Sequence, residues 1–320
     1  MASLLLLAVP FASAREKPFM AYHASWYELP AIEASQTTLS RLPGYMNIVA
    51  LAFARPDMVY EGDLDISRTG LQYSFSGEIL RDTIALLKKR HPDTRVIISV
   101  GGAGWQGWDR FNEHALARLV KDVGADGVDL DYEPSSPNCL PMPNGRISCA
   151  SDDTWIELVK RTRMQMPRPY LLTLPGWSVG AYGEGEFTDE GPKSPWTGSM
   201  LNLLRSDAAP YIDYVSIMAY DAGPDYDPSR AFAAYRTAWK GPLLAGIAVM
   251  PLISDGTLAT PETINRKVAH ARHDANGGAM LYVLRDCPPE ANCAPHVDYR
   301  EVSRSLCKIM GAKNCESPVP

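Results

Sequence analysis

The stretch "DGVDLDYE", residues 126–133, decides how the rest of the chain is read. Val128, Leu130 and Tyr132 alternate with Asp129, Asp131 and Glu133, and Asp126 stands ahead of them. Strict alternation marks a strand with one apolar and one polar face. A merely solvated face would not favour three acids in a row, because Asp is depleted in strands. Same-face neighbours also sit only about 6.5–7 Å apart. Such a row repels itself, so at least one member should keep its proton at raised pH.

The surroundings of this stretch give the frame. Apolar runs recur at 19–25, 47–53, 95–102, 170–177, 214–221, 243–251 and 278–286. Several are apolar almost throughout, as strands covered on both faces must be. Amphipathic segments lie between them at 76–91, 155–166 and 261–278. Ser76 is a candidate N-cap, with Ile79, Ile84, Leu86 and Leu87 on one side. Pro261 and the Gly277-Gly278 pair suit the start and end of the last segment. The stretch 178–212, rich in Gly, Pro and Ser, reads as long loops. Eight strands alternating with helices predict an α/β fold, a (β/α)8 barrel of the usual size of about 250 residues. The short connection between strands seven and eight leaves no room for a large insertion. No repeat or linker divides the chain.

In such a barrel the C-terminal strand ends carry the chemistry. Glu133 stands at a strand end, before Pro134. If Val128, Leu130 and Tyr132 face the helices, Asp129, Asp131 and Glu133 point into the barrel near its mouth. A buried ionised carboxylate is unfavourable unless paired or hydrogen-bonded, so the row should share protons, and Glu133 is a candidate acid. Asp126 has the opposite parity and lies deeper, which suits a structural role.

The 320 residues carry a formal charge of −6, and the longest basic cluster is Lys88–Arg90. A nucleic-acid binder would show a basic patch or stripe. Residues 1–14 read as a signal peptide, with an apolar run over 4–11 and a small-residue site ending at Ala14. Residues 15–320 are then the mature barrel, a secreted or periplasmic protein without a membrane span, read as a monomer. Six cysteines fit export. Their clustering favours three local bridges: Cys139 with Cys149, Cys287 with Cys293, and Cys307 with Cys315. A zinc site is disfavoured, since there is no C-x-x-C spacing and His296 stands alone. No metal or organic cofactor is implied.

The acid stretch, D-x-x-D-x-D-x-E at Asp126, Asp129, Asp131 and Glu133, resembles the signature of glycoside hydrolase family 18. That family includes many chitinases and endo-β-N-acetylglucosaminidases. Two further elements match in order: Ser99-Val100-Gly101-Gly102, and "SIMAYD" with Met218, Tyr220 and Asp221. The resemblance implies a retaining, substrate-assisted hydrolysis of β-1,4 bonds at N-acetylglucosamine. It implies Glu133 as acid and then base, Asp131 orienting the acetamido N–H, Asp129 tuning Asp131 with Ser99 as its partner, and Tyr220 donating to the acetamido oxygen. Asp221 would contact the sugar.

Gly101 and Gly102 suit either a tight strand end or close approach of a sugar. Met218 is expected as floor. Tyr22 and Phe53 end apolar strands and are candidate sugar contacts. Trp105, Trp108 and Trp177 follow strand ends and suit either sugar stacking or loop packing. Tyr282 occupies the place where many relatives carry a Trp, which leaves the glycan open among chitin, an N-glycan core and peptidoglycan. The rival function is a non-catalytic carbohydrate-binding or inhibitory protein on the same barrel.

Overall fold

The structure is a computed structural model that describes residues 16–249, 260–285 and 297–320. The expected signal peptide and the Cys287–Cys293 bridge lie outside the described residues. Eight parallel strands close into a barrel in the order 1-8-7-6-5-4-3-2. They are β1 (Phe19–Ala24), β2 (Ile48–Ala54), β3 (Arg95–Gly101) and β4 (Gly127–Asp131), followed by β5 (Leu171–Trp177), β6 (Tyr214–Met218), β7 (Leu243–Ala248) and β8 (Gly277–Leu284). Helices α1 (Gly77–Arg90), α2 (Glu113–Asp122), α3 (Asp152–Gln165), α4 (Leu201–Arg205), α5 (Pro228–Ala238), α6 (Pro261–His273) and α7 (Tyr299–Met310) fill the connections.

The strand alternation sorts the apolar side chains into two bodies. Val128 and Leu130 belong to the large core between barrel and helices. Met20, Tyr22, Ala50, Ile97, Leu244 and Met280 fill the barrel interior. Asp129 and Asp131 share that inward side and are almost fully buried. Asp126 sits at the other end of the barrel. Its carboxylate accepts from Lys88 Nζ at 2.7 Å and from the Val96 N–H at 2.8 Å. It thus ties the end of α1 to the start of β3 and β4.

Four boundaries differ from the sequence expectation. β4 ends at Asp131, so Glu133 lies just past the strand. α3 begins at Asp152, where Asp152 Oδ2 accepts the Cys149 N–H at 2.8 Å. α6 stops at His273, and the Gly277-Gly278 pair opens β8 instead of ending the helix. The close approach explains that pair, since a Cβ on Gly277 would lie 2.1 Å from the Ala271 carbonyl oxygen. In α1 the buried stripe is Leu80, Thr83, Ile84 and Leu87, and Ser76 occupies the N-cap position without a side-chain cap bond. Four of the other six helix starts follow cap chemistry. Asn112, Asp227, Thr260 and Asp298 each accept a first-turn N–H.

Cys139 pairs with Cys149 and Cys307 with Cys315, as their clustering suggests. The first bridge spans a small hairpin directly downstream of Glu133. No helix among the described residues is long and apolar enough to cross a membrane.

Candidate active site

The turn after β3 organises the row of acids. Gly101 and Gly102 adopt φ of +104° and +78°, a backbone region open to glycine and strained for other residues. The chain therefore swings across the end of β4. The Gly102 N–H donates to the Asp131 carbonyl at 2.9 Å, and the next N–H, of Ala103, donates to the Glu133 carboxylate. Ser99 Oγ, two residues back, donates to Asp129 Oδ2 at 2.7 Å. One short motif thus touches all three acidic residues. A Cβ on Gly101 would stand 2.2 Å from the Asp131 carbonyl oxygen, so the motif has no room for another residue there.

The three carboxyls sit in three different environments. Asp129 receives three hydroxyls: Tyr22 at 2.8 Å, Ser99 at 2.7 Å and Thr173 at 2.5 Å. Burial nevertheless outweighs these donors and raises it to about 6. Asp131 is pushed well above the carboxylate range by burial, and further by the charges of Glu133 and Asp129. Its Oδ1 is buried and has no hydrogen-bond partner among the described residues. Glu133 is raised to about 7 by burial, partly offset by the Ala103 N–H and reinforced by Asp221. Asp221 follows β6 with φ +54°. Burial holds the Tyr220 hydroxyl protonated far above its ordinary range, helped by the charge of Asp131. Tyr220 is therefore a neutral donor beside the acids.

Aromatic rings line the mouth. Tyr282 contacts three of them: Tyr22 edge-on at 5.7 Å, Phe53 at 6.4 Å, and Tyr220 stacked at 5.9 Å. Met218 lies in the interior cluster below. A Cβ on Gly102 would meet the Phe53 ring at 3.1 Å, so this glycine lets that ring close in. Trp105 is half-buried, with the Arg55 guanidinium 5.4 Å from its ring centroid. Trp177 ends β5 and is stacked on Trp196 at 4.4 Å. Trp108 is buried against Phe111 and Tyr132 and packs the barrel wall rather than the mouth.

Thr173, Trp26 and Trp196 join the site without having been marked in the sequence. Thr173 shares parity with Trp177 on β5, a signal the alternation did carry. Trp26 stacks on Phe53 at 6.0 Å and lies four residues beyond Tyr22. Trp196 lies in a stretch with no periodicity at all.

A cavity of about 1220 Å³ opens at the opposite end of the barrel, lined by Lys17, Asn47, His91, Arg95 and Tyr214 among others. The raised carboxyls and the rings that could hold a ligand are gathered at the C-terminal mouth, and that end is the chemically equipped one. Among the described residues no three His, Cys, Asp or Glu side chains are placed to hold a metal ion.

Comparison with known proteins finds relatives that share the fold. A chitinase of Plasmodium falciparum is 28% identical over 207 residues, 59% of this chain and 48% of that protein. The chain thus spans about half the length of that relative. A GH18 chitinase structure from Pseudoalteromonas aurantia superposes with a TM-score of 0.58 at 19% identity, covering 84% of this chain and 94% of that one. A GH18 chitinase from Cycas revoluta in complex with (GlcNAc)3 gives 0.54 at 15% identity, covering 92% and 98%. The family model described as glycosyl hydrolases family 18 matches residues 19–245, from the first residue of β1 into β7, and the chain belongs to that family.

Proposed function

We propose that the protein is a retaining glycosidase that cleaves β-1,4 linkages at N-acetylglucosamine, with the sugar's own acetamido group as nucleophile. The observation that carries this reading is Asp131 Oδ1, a buried acceptor without a partner among the described residues, near a raised Glu133 and a neutral Tyr220. An acetamido group fits that arrangement, its N–H donating to Asp131 and its oxygen accepting from Tyr220.

Glu133 gives its proton to the glycosidic oxygen as the bond from that oxygen to the anomeric carbon breaks. The acetamido oxygen forms the new bond to the anomeric carbon, and the positive charge of the resulting oxazolinium rests beside Asp131. That charge draws Asp131 toward its ionised form, its proton passing within the row to Asp129. Water then adds to the anomeric carbon as the bond from that carbon to the acetamido oxygen breaks, and gives a proton to Glu133, which restores the acid, while the proton on Asp129 returns to Asp131. Asp126 takes no part and holds the barrel's far end. The protein works outside the cytoplasm as a monomer, with bridges suited to an oxidising compartment.

The aromatic floor bears on the glycan. Tyr282 offers less stacking area than the Trp many relatives carry there. Losing roughly 30–50 Å² of contact is worth about 1 kcal/mol, or severalfold in affinity. The smaller ring leaves room for a substituted or branched N-acetylglucosamine glycan. Purified protein should therefore release product faster from N-glycoproteins or peptidoglycan than from chitin oligomers. Tyr282→Trp should shift kcat/KM severalfold toward the chitin oligomers. Equal rates on all three substrates, with no shift in the variant, would remove this reading of the floor. No cleavage of any of them would favour a carbohydrate-binding role instead.

A further inference from the structure

The backbone around Glu133 is held from a side that the acid row does not supply. The strand ladder ends at Asp131, so the main chain of 132–134 needs another anchor. Pro134 fixes its own φ and disfavours the helical region for Glu133. Where the Pro134 carbonyl is held therefore largely determines where the Glu133 backbone runs. That carbonyl accepts the Trp196 indole N–H at 3.2 Å.

Trp196 is itself fixed. Its ring lies on Trp177 at 4.4 Å between centroids and 27° between planes. Its backbone N–H donates to Ser194 Oγ at 3.2 Å, and its carbonyl accepts from the Ser199 N–H at 3.0 Å. Gly198, with φ +84°, seats the same turn against Ile147 inside the Cys139–Cys149 loop. Glu133 is thus held at its carboxylate by the turn after β3, and the residue after it is held at its carbonyl by a turn after β5.

We propose that Trp196 is a positioning residue for the general acid, holding Glu133 where it can reach the leaving oxygen. The inference rests on the reading of Glu133 as that acid. It has a consequence that plain structural support does not. A sugar leaving group needs full protonation, whereas an aryl leaving group of low pKa departs with little help. Misplacing the acid should therefore harm the first reaction and spare the second.

Trp196→Phe keeps a ring on Trp177 and removes the N–H. We expect kcat/KM for N-acetylated chitotetraose to fall ~3- to 10-fold, the scale of one lost hydrogen bond, while kcat/KM for para-nitrophenyl chitobioside stays near wild type. Replacing Trp196 by benzothienylalanine, which keeps the bicyclic shape without the donor, gives the same selective loss if the phenyl variant does not fold. Equal losses on both substrates, or none on either, would overturn the proposal while leaving the glycosidase reading intact. A wild-type protein inactive on both would overturn that reading and this inference with it.

Discussion

Replacing Glu133 by Gln is expected to lower kcat/KM on the natural glycan by about 10²–10⁴-fold, the usual contribution of a positioned acid/base. Oligosaccharide binding should remain, because the amide keeps the shape of the carboxyl. The same group sets the alkaline limb of the wild type. With Glu133 raised to about 7 by burial, kcat/KM should fall as pH rises through about 7. Stability follows with a defined sign. A carboxyl whose folded value is raised from 4.5 to about 7 binds more protons folded than unfolded in that window. Wild-type stability therefore declines as pH rises through the window. The Gln variant has no such loss, so its advantage in Tm should open between these values and level off above them. After allowance for the partial exposure of Glu133, that advantage is on the order of 2 kcal/mol. Near-wild-type turnover, or an advantage that grows toward acid, would contradict the assignment.

Gly101→Ala should be nearly as damaging without touching an acid. The residue has φ +104°, and its new Cβ would press on the Asp131 carbonyl oxygen at 2.2 Å and on the Trp108 ring at 2.4 Å. Backbone strain and overpacking together should destabilise the fold by about 2–4 kcal/mol. The turn it distorts aims the Gly102 and Ala103 N–H groups at Asp131 and Glu133. The folded fraction should accordingly lose roughly 10²-fold in kcat/KM, the scale associated with a displacement of about 1 Å in a catalytic site. Denaturant unfolding and kinetics on the same preparation check both parts. A variant as stable and active as wild type would show that the glycines serve neither purpose.

These residues also show why parts of the molecule could be read from the sequence. Parallel strands buried on both faces leave unbroken apolar runs, so the barrel strands stood out. The inward placement of Asp129 and Asp131 followed from the alternation with Val128 and Leu130. The ends of elements were less legible, because they depend on where partners lie. Gly277-Gly278 looks like a helix end in one dimension. In three it is a strand start, where Gly277 crowds the Ala271 carbonyl and Gly278 crowds that of Pro18. Trp108 and Trp105 looked alike as loop tryptophans; only packing on Phe111 and Tyr132 separates the first from the mouth. Trp196 gave no signal, since its role comes from one hydrogen bond across 62 residues of chain.

The reading of an acetamido nucleophile beside Asp131 is tested most directly by following the anomeric protons of N-acetylated chitotetraose by NMR from the first moments of cleavage. Two displacements at the anomeric carbon, first by the acetamido oxygen and then by water, require the new reducing end to appear in the β form and to mutarotate only afterwards. First appearance of the α form would mean a single displacement by water and would contradict the account, as would unhindered cleavage when the acetyl group of the sugar at the reacting position has been removed.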